Sequence, residues 1–192
     1  MNPHLVNRVF DTFPNLTALV IGDVMIDSYL FGSVDRISPE APVPVVSVNQ
    51  KENRLGGAAN VALNIKALGA TPILCCVVGN DQNADHFYDL MGQNELDTIG
   101  VLKDDSRPTT VKTRVISQHQ QMLRIDEEDS TNLNGNVTDQ MTSKILKIMD
   151  DSKIDVVIFE DYDKGLITPE LIRAIVTKAN ELNIPTTVDP KK

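Results

Sequence analysis

The stretch "RLGGAANVALNIKALGATPILCCVVG", residues 54–79, decides the fold. Two glycines and two alanines run into Asn60 and then into apolar residues at helical spacing. After Gly69-Ala70 comes "TPILCCVVG", an apolar run too short for a helix of its own and rich in β-branched residues. A helix over 60–70, with the stripe Ala58, Val61, Ile65 and Leu68 on the sheet, and a buried strand over 71–79 follow from that pattern. Helix leading at once into a strand buried on both faces is the repeating unit of a parallel sheet. One feature does not serve stability: glycine near a helix costs roughly 0.5–1 kcal/mol against alanine. Gly56 and Gly57 therefore pose the question of what comes so close to that backbone.

The same alternation extends outward. "LTALVIGD" (16–23) reads as a buried strand, 84–94 as a helix, 97–102 as extended and 137–150 as a helix. A strand over 155–160, a helix over 168–182 and a strand over 185–189 complete the series, with Thr168 as helix cap and Pro169 in the first helical position. The expected fold class is α/β, a doubly wound, mostly parallel sheet. Residues 28–50 and 108–128 break the rhythm, because each holds two β-rich runs around a turn and no helix. Both read as antiparallel hairpins that leave the main sheet and pair into a small second sheet, a lid or a contact with another copy. If "QHQ" (118–120) is a three-residue loop, Ser117 faces Gln121 and Arg114 faces Arg124.

Composition narrows the partners. With 192 residues and a net charge of −9, the chain has no basic stripe for nucleic acid and is repelled by anionic membranes. No apolar run approaches the roughly 18 residues a membrane helix needs, and "MNPHLVNRVFDTF" has no signal-peptide core. The expected location is the cytoplasm. Cys75 and Cys76 are adjacent, a spacing that suits neither metal nor disulfide, and read as buried strand thiols. His4, His86 and His119 are scattered, so no metal site is expected from side chains.

Ligands of open α/β sheets bind beyond the carboxyl ends of the strands. Polar residues gather there three times: Asp23 and Asp27 after the first strand, Asp161, Asp163 and Lys164 in "EDYDKG", and Asp189 and Lys191 in "DPKK". Acidic loop residues that only solubilise are the plain alternative for each. Gly56 and Gly57 have two readings, a bare backbone open to a hydroxylated ligand with Asn60 beside it, or a tight helix–strand contact. The stretch is neither a P-loop nor G-x-G-x-x-G. Arg114 opposite Arg124 is a like-charge pair, destabilising unless something sits between. An anion there, with Lys112 on the same strand face, makes a clamp of the kind arginines prefer for phosphate. The alternative is neutralisation by Asp126 and Glu128.

"GGAAN", the upstream "GDVMID" and the two hairpins together resemble the ribokinase-like (PfkB) carbohydrate kinases, from about residue 16 to the C-terminus. The resemblance implies a sugar site made by Asp27 with Asp23 beside it, by Gly56, Gly57 and Asn60, and by Asp161. It implies Lys164 and Lys191 on the phosphoryl-transfer side. Lys112, Arg114 and Arg124 enter through the charge argument, as contacts to a substrate phosphate. "RISPEAPVPV", "TVKTRVIS", "QQMLRIDEE", "DYDKG" and "VDPK" are similar to the members that phosphorylate D-glycero-β-D-manno-heptose 7-phosphate at C1, on the way to ADP-heptose and lipopolysaccharide core.

The family's catalytic G-A-G-D is absent, and it and the family's N-x-x-E normally lie downstream of "VDPK". The expectation is therefore an N-terminal portion spanning 1–192, with the catalytic aspartate beyond Lys192 and the nucleotide-binding half missing. ATP and magnesium are implied for the full-length enzyme and none is expected on this stretch, which alone would be inactive. The implied partners are a sugar phosphate and, through the edges of the lid, a second copy. Another PfkB sugar kinase and a non-catalytic sugar-phosphate-binding module are the competing readings.

Overall fold

The computed structural model describes residues 3–191, and the side chains of residues 7–191. Met1, Asn2 and Lys192, with the side chain of His4, lie outside the described residues. Five parallel strands form the main sheet in the order β5-β4-β1-β8-β9: β1 (Thr17–Gly22), β4 (Thr71–Gly79), β5 (Val101–Asp104), β8 (Val156–Glu160) and β9 (Thr186–Asp189). Their apolar runs are long because both faces are covered. Leu19 and Ile21 point into one core with α4 (Gly135–Asp151) and α5 (Pro169–Glu181). Val20, Leu74, Cys76 and Val78 point into the other, under α2 (Ala58–Ala67) and α3 (Gln82–Gln93). Caps set the helix starts: Asp81, Asn134 and Thr168 accept from Ala84, Val137 and Leu171. The chain opens with α1 (Pro3–Phe10), which the sequence reading did not anticipate.

The second sheet has the order β3-β2-β6-β7 and is built from β2 (Val24–Ile37), β3 (Pro44–Gly57), β6 (Val111–Ser117) and β7 (Gln120–Glu127). Each hairpin is antiparallel, and the two join through a parallel seam, Ile26 beside Val111 to Gly32 beside Ser117. The first hairpin starts earlier and ends later than 28–50. "VMID" opens β2 rather than closing β1, and "RLGG" closes β3 rather than forming a loop before α2.

Three local expectations are corrected. The α2 stripe is rotated: Ala58, Ala59 and Ala62 are buried, Val61 and Ile65 only partly, and Leu68 is 48 % exposed. The helix starts at Ala58, two residues early, and stops before Leu68. Residues 97–100 form a turn, with Asp97 accepting from Ile99 N, so extended structure begins only at Val101. The hairpin loop is Gln118-His119, both at positive φ (49° and 67°), and Ser117 pairs with Gln120. A bulge between Val115 and Ile116 absorbs the difference and restores Arg114 opposite Arg124.

Candidate functional site

Strand order reverses at β1, since β4 and β5 lie on one side and β8 and β9 on the other. Such a switch point opens a crevice at the carboxyl ends of the two central strands. Here Gly22 pairs with Glu160, and a single residue, Asp23, separates β1 from β2. Asp23 is 5 % exposed. Its Oδ2 accepts from Tyr162 N (3.1 Å) and Lys164 N (3.0 Å), and its Oδ1 from Leu166 N (3.2 Å). Burial raises the Asp23 pKa above its ordinary value, against the pull of those three N–H groups and with help from Asp161. Asp23, expected beside Asp27 in the sugar site, has both carboxylate oxygens bonded to the loop after β8.

That loop carries Asp161 and Lys164. Asp161 is partly buried and its Oδ1 accepts from Asp163 N at 2.8 Å, which turns the chain at Asp163 (φ 58°). Glu160 is a functional candidate the sequence reading passed over. It is 6 % exposed at the β8 terminus, and burial followed by Asp189 raises its pKa. The signal was legible in "FED", where an apolar strand ends on two consecutive acids.

The glycines now have their answer. A Cβ on Gly56 would overlap Asp27 Oδ2 and press on Met25 Cγ at 2.8 Å. Gly57 has φ +60°, and a Cβ there would overlap the Asp23 carbonyl oxygen. What comes close to this backbone is the protein's own aspartates. Gly56 leaves room for the Asp27 carboxylate, and Gly57 lets β3 turn into α2 against Asp23, whose O accepts from Ala58 N. Asn60 lies in the first turn of α2 and is exposed.

One face of the lid carries the charge. Register places Asp27, Lys112 and Asp126 in one row, and Tyr29, Arg114 and Arg124 in the next. Arg114 Nη1 donates to Asp27 Oδ1 at 2.6 Å. Arg124 forks onto Asp126 at 2.8 and 3.0 Å. Lys112 Nζ donates to Asp126 (2.9 Å) and to Glu128 Oε2 (2.7 Å), while Lys164 Nζ reaches Glu128 Oε1 at 2.8 Å. The Arg114–Arg124 repulsion is thus relieved inside the chain, the alternative the sequence left open, with Asp27 as the unforeseen partner. Tyr29 lies under two guanidiniums, Arg54 at 4.9 Å and Arg114 at 5.3 Å. Burial pushes the Lys112 pKa down, but Glu128 and Asp126 outweigh it and raise it overall. For Glu128, burial pushes up and the two lysines prevail, holding it below its ordinary value. The structure therefore brings Asp27, Gly56, Lys112, Arg114, Arg124 and Lys164 together. Asn60 and the exposed Lys191 stand outside this network.

Room at the crevice is small. The hollow lined by Asp23, Arg107, Thr110 and Lys164 measures about 10 Å³. A larger one, about 360 Å³, lies at the opposite rim beside Thr71 and Pro72, where β4 begins, and holds none of these residues. Among the described residues no group of three or more His, Cys, Asp or Glu can hold a metal ion. No G-A-G-D cradle occurs in the sequence. The described residues do not fit ATP and magnesium by themselves.

Residues 16–171 match the family model described as pfkB family carbohydrate kinase. The chain belongs to that family. Bifunctional protein HldE of Trichlorobacter lovleyi is 40 % identical over 191 residues, covering 100 % of this chain and 38 % of the relative. The protein of the same name from Helicobacter pylori strain G27 is 45 % identical over 177 residues, covering 90 % and 37 %. The chain thus spans under two fifths of the length of these curated relatives. Among solved structures, phosphofructokinase-2 from Escherichia coli in complex with substrates and products superposes with TM-score 0.67 at 18 % identity, over 92 % of this chain and 54 % of the other. Ribokinase from Cryptococcus neoformans in complex with ADP gives 0.56 at 14 %, over 92 % and 50 %. Both likenesses concern the fold. The fold of this pfkB-family chain is ribokinase-like, with a parallel main sheet covered by helices on both faces.

Proposed function

We propose that this chain supplies the acceptor side of a sugar kinase, the part that binds and orients the hydroxyl to be phosphorylated. The observation that carries the reading is the convergence of Asp27, Gly56 and three cations on one face of the lid with Lys164 from the loop after β8. Asp27 has one oxygen on Arg114 and the other over Gly56, so it is held in one orientation and accepts a hydrogen bond from a sugar hydroxyl. Asn60 offers a donor and an acceptor to neighbouring hydroxyls, and Asp161 a second carboxylate. Lys112, Arg114, Arg124 and Lys164 face three carboxylates, Asp27, Asp126 and Glu128. Those four cations, on a chain of net charge −9, are groups that can pair with a phosphate and so favour a phosphorylated sugar over a neutral one.

The substrate we assign is D-glycero-β-D-manno-heptose 7-phosphate, phosphorylated at C1 in ADP-heptose and lipopolysaccharide core synthesis in the cytoplasm. The motif runs from "RISPEAPVPV" to "VDPK" support it, as does the 40–45 % identity to proteins named HldE. ATP and magnesium belong to the full-length enzyme, where they supply and activate the transferred phosphoryl group. Residues 1–192 serve as the N-terminal portion of the kinase domain, with Lys164 and Lys191 toward the donor. A purified chain of these residues is expected to form no ADP. The lid's outer face exposes Val48 (51 %), Leu123 (55 %) and Ile125 (47 %), an apolar surface suited to a second copy's lid in a homodimer. The deciding experiment is a kinase assay of the full-length protein against a panel of heptose and hexose phosphates. Preference for a heptose 7-phosphate over its unphosphorylated sugar is expected. Equal use of hexose phosphates would move the assignment to another sugar, and no transfer to any would overturn it.

A further inference from the structure

Glu128 stands in an unusual place. It directly follows β7, and its carboxylate joins the lid to the loop after β8. Oε2 takes Lys112, from the lid, at 2.7 Å; Oε1 takes Lys164, from the loop after β8, at 2.8 Å. The three side chains are only 14, 16 and 23 % exposed for Lys112, Lys164 and Glu128. Two ammonium groups withdrawn from water and aimed at one position demand an anion there, since unpaired charge in such surroundings is strongly disfavoured. Arg114 is tied to Asp27 and Arg124 to Asp126 in a two-bonded fork; Lys112 shares Asp126 with Arg124, at 2.9 Å, and turns its shorter contact to Glu128. Lys164 is seated from below as well, through the bond from its backbone N to Asp23. The two lysines thus form a preset seat.

We propose that Glu128 is an internal occupant of an anion seat formed by Lys112 and Lys164, and that a phosphate group displaces it on binding. Phosphate offers the same two charge-assisted contacts with more charge and more acceptor oxygens than a carboxylate. Exchange frees Glu128 and leaves the ligand bridging lid and main sheet, so the ligand itself ties the lid down. Glu128 thereby weakens intrinsic phosphate affinity and rejects ligands without an anion. This inference rests on the sugar-phosphate reading only for the identity of the natural ligand, since the seat takes inorganic phosphate equally.

The test is calorimetric titration of the full-length protein with inorganic phosphate, heptose 7-phosphate and heptose. Glu128→Gln keeps the shape and removes the competing charge, and is expected to bind inorganic phosphate at least 5-fold tighter than the parent. Adding Lys164→Met in the same chain should abolish that gain. Glu128→Asp, too short to reach both lysines, should fall between. A Glu128→Gln protein that melts normally and binds phosphate no better, or worse, overturns the proposal, and so does a gain that survives Lys164→Met. If phosphate responds as expected while heptose and heptose 7-phosphate bind alike, the seat stands and the substrate assignment fails.

Discussion

The two sheets hold their chemistry in opposite ways. In the main sheet the faces are consumed by packing, and the functional groups appear only at strand tips, fixed by backbone. Asp23 is the extreme case, buried and bonded to three N–H groups of one loop. In the lid the functional groups lie along a strand face and are fixed by one another, through ion pairs across neighbouring strands. Backbone anchoring gives rigidity at the price of versatility. Side-chain pairing leaves groups that exchange partners when a ligand arrives.

The largest effect is expected from Asp23→Leu, which leaves three N–H groups without an acceptor. At roughly 1–3 kcal/mol for each unsatisfied buried donor, the loss should be about 3 kcal/mol or more. Urea unfolding measures it, and a loss under about 1 kcal/mol would show that the floor is not anchored by this carboxylate. Gly57→Val comes next. A β-branched residue at φ +60° carries about 1–3 kcal/mol of strain besides its overlap with the Asp23 carbonyl, read as a lowered melting temperature. Parent-like melting would mean that the joint between the sheets is loose.

On the lid side the effects shift from stability to binding. Asp27→Ala and Asn60→Ala should each weaken sugar use by about 1–3 kcal/mol, roughly 5- to 150-fold; melting temperature should hold for Asn60→Ala and fall for Asp27→Ala, which leaves Arg114 without its carboxylate. Unchanged kinetics for both would remove the acceptor site from this rim. Arg124→Met is gentler, because the side chain is 52 % exposed and such pairs contribute under about 1 kcal/mol. Its stability should hold while a phosphorylated sugar loses more affinity than its unphosphorylated analogue; equal losses would make Arg124 a support of the lid.

The smallest effect separates the sheets by pH. Asp23 is raised in the folded state, so its contribution to stability is present in acid, below its unfolded value, and fades as pH rises through the folded one. Glu128 and Asp126 are lowered by their cationic partners, Glu128 against the opposing effect of burial. Their contribution is present above the unfolded values and is lost as pH falls through the folded ones. Hydrogen exchange followed as pH falls from neutral to below the ordinary carboxylate values should therefore show the lid strands losing protection before the main sheet. Uniform loss would merge the two regions into one cooperative unit.

Much of this was legible in the residues. Strand β4 coincides with the apolar run 71–79, and Thr168-Pro169 opens α5 as capping requires. Such features are local and rest on periodicity and cap chemistry. The α2 face was misread because its core contacts are alanines, chosen for close approach, while larger residues sit at the margin. Arg114 was placed opposite Arg124 through a loop of the wrong length, a bulge having compensated. At the site, residue types were readable and partnerships were not. Nothing in "GDVMID" tells that Asp23 turns to a loop 139–143 residues away while Asp27 turns to Arg114.

That separation has a consequence for how the chain is made. At about 5–20 residues per second, the ribosome delivers the partners of Asp23 on the order of ten seconds after Asp23 itself. The β2–β3 hairpin is already complete at Gly57, so half of the cover is made well before its floor. During that interval Asp23 is solvated and ionised, and the joint between β1 and β2 is free to swing. Arrested nascent chains should report the change as a step: release before Leu166 leaves the first hairpin open to protease, and release beyond it closes the joint. A gradual gain of protection along the whole length would mean that other contacts secure the hairpin first.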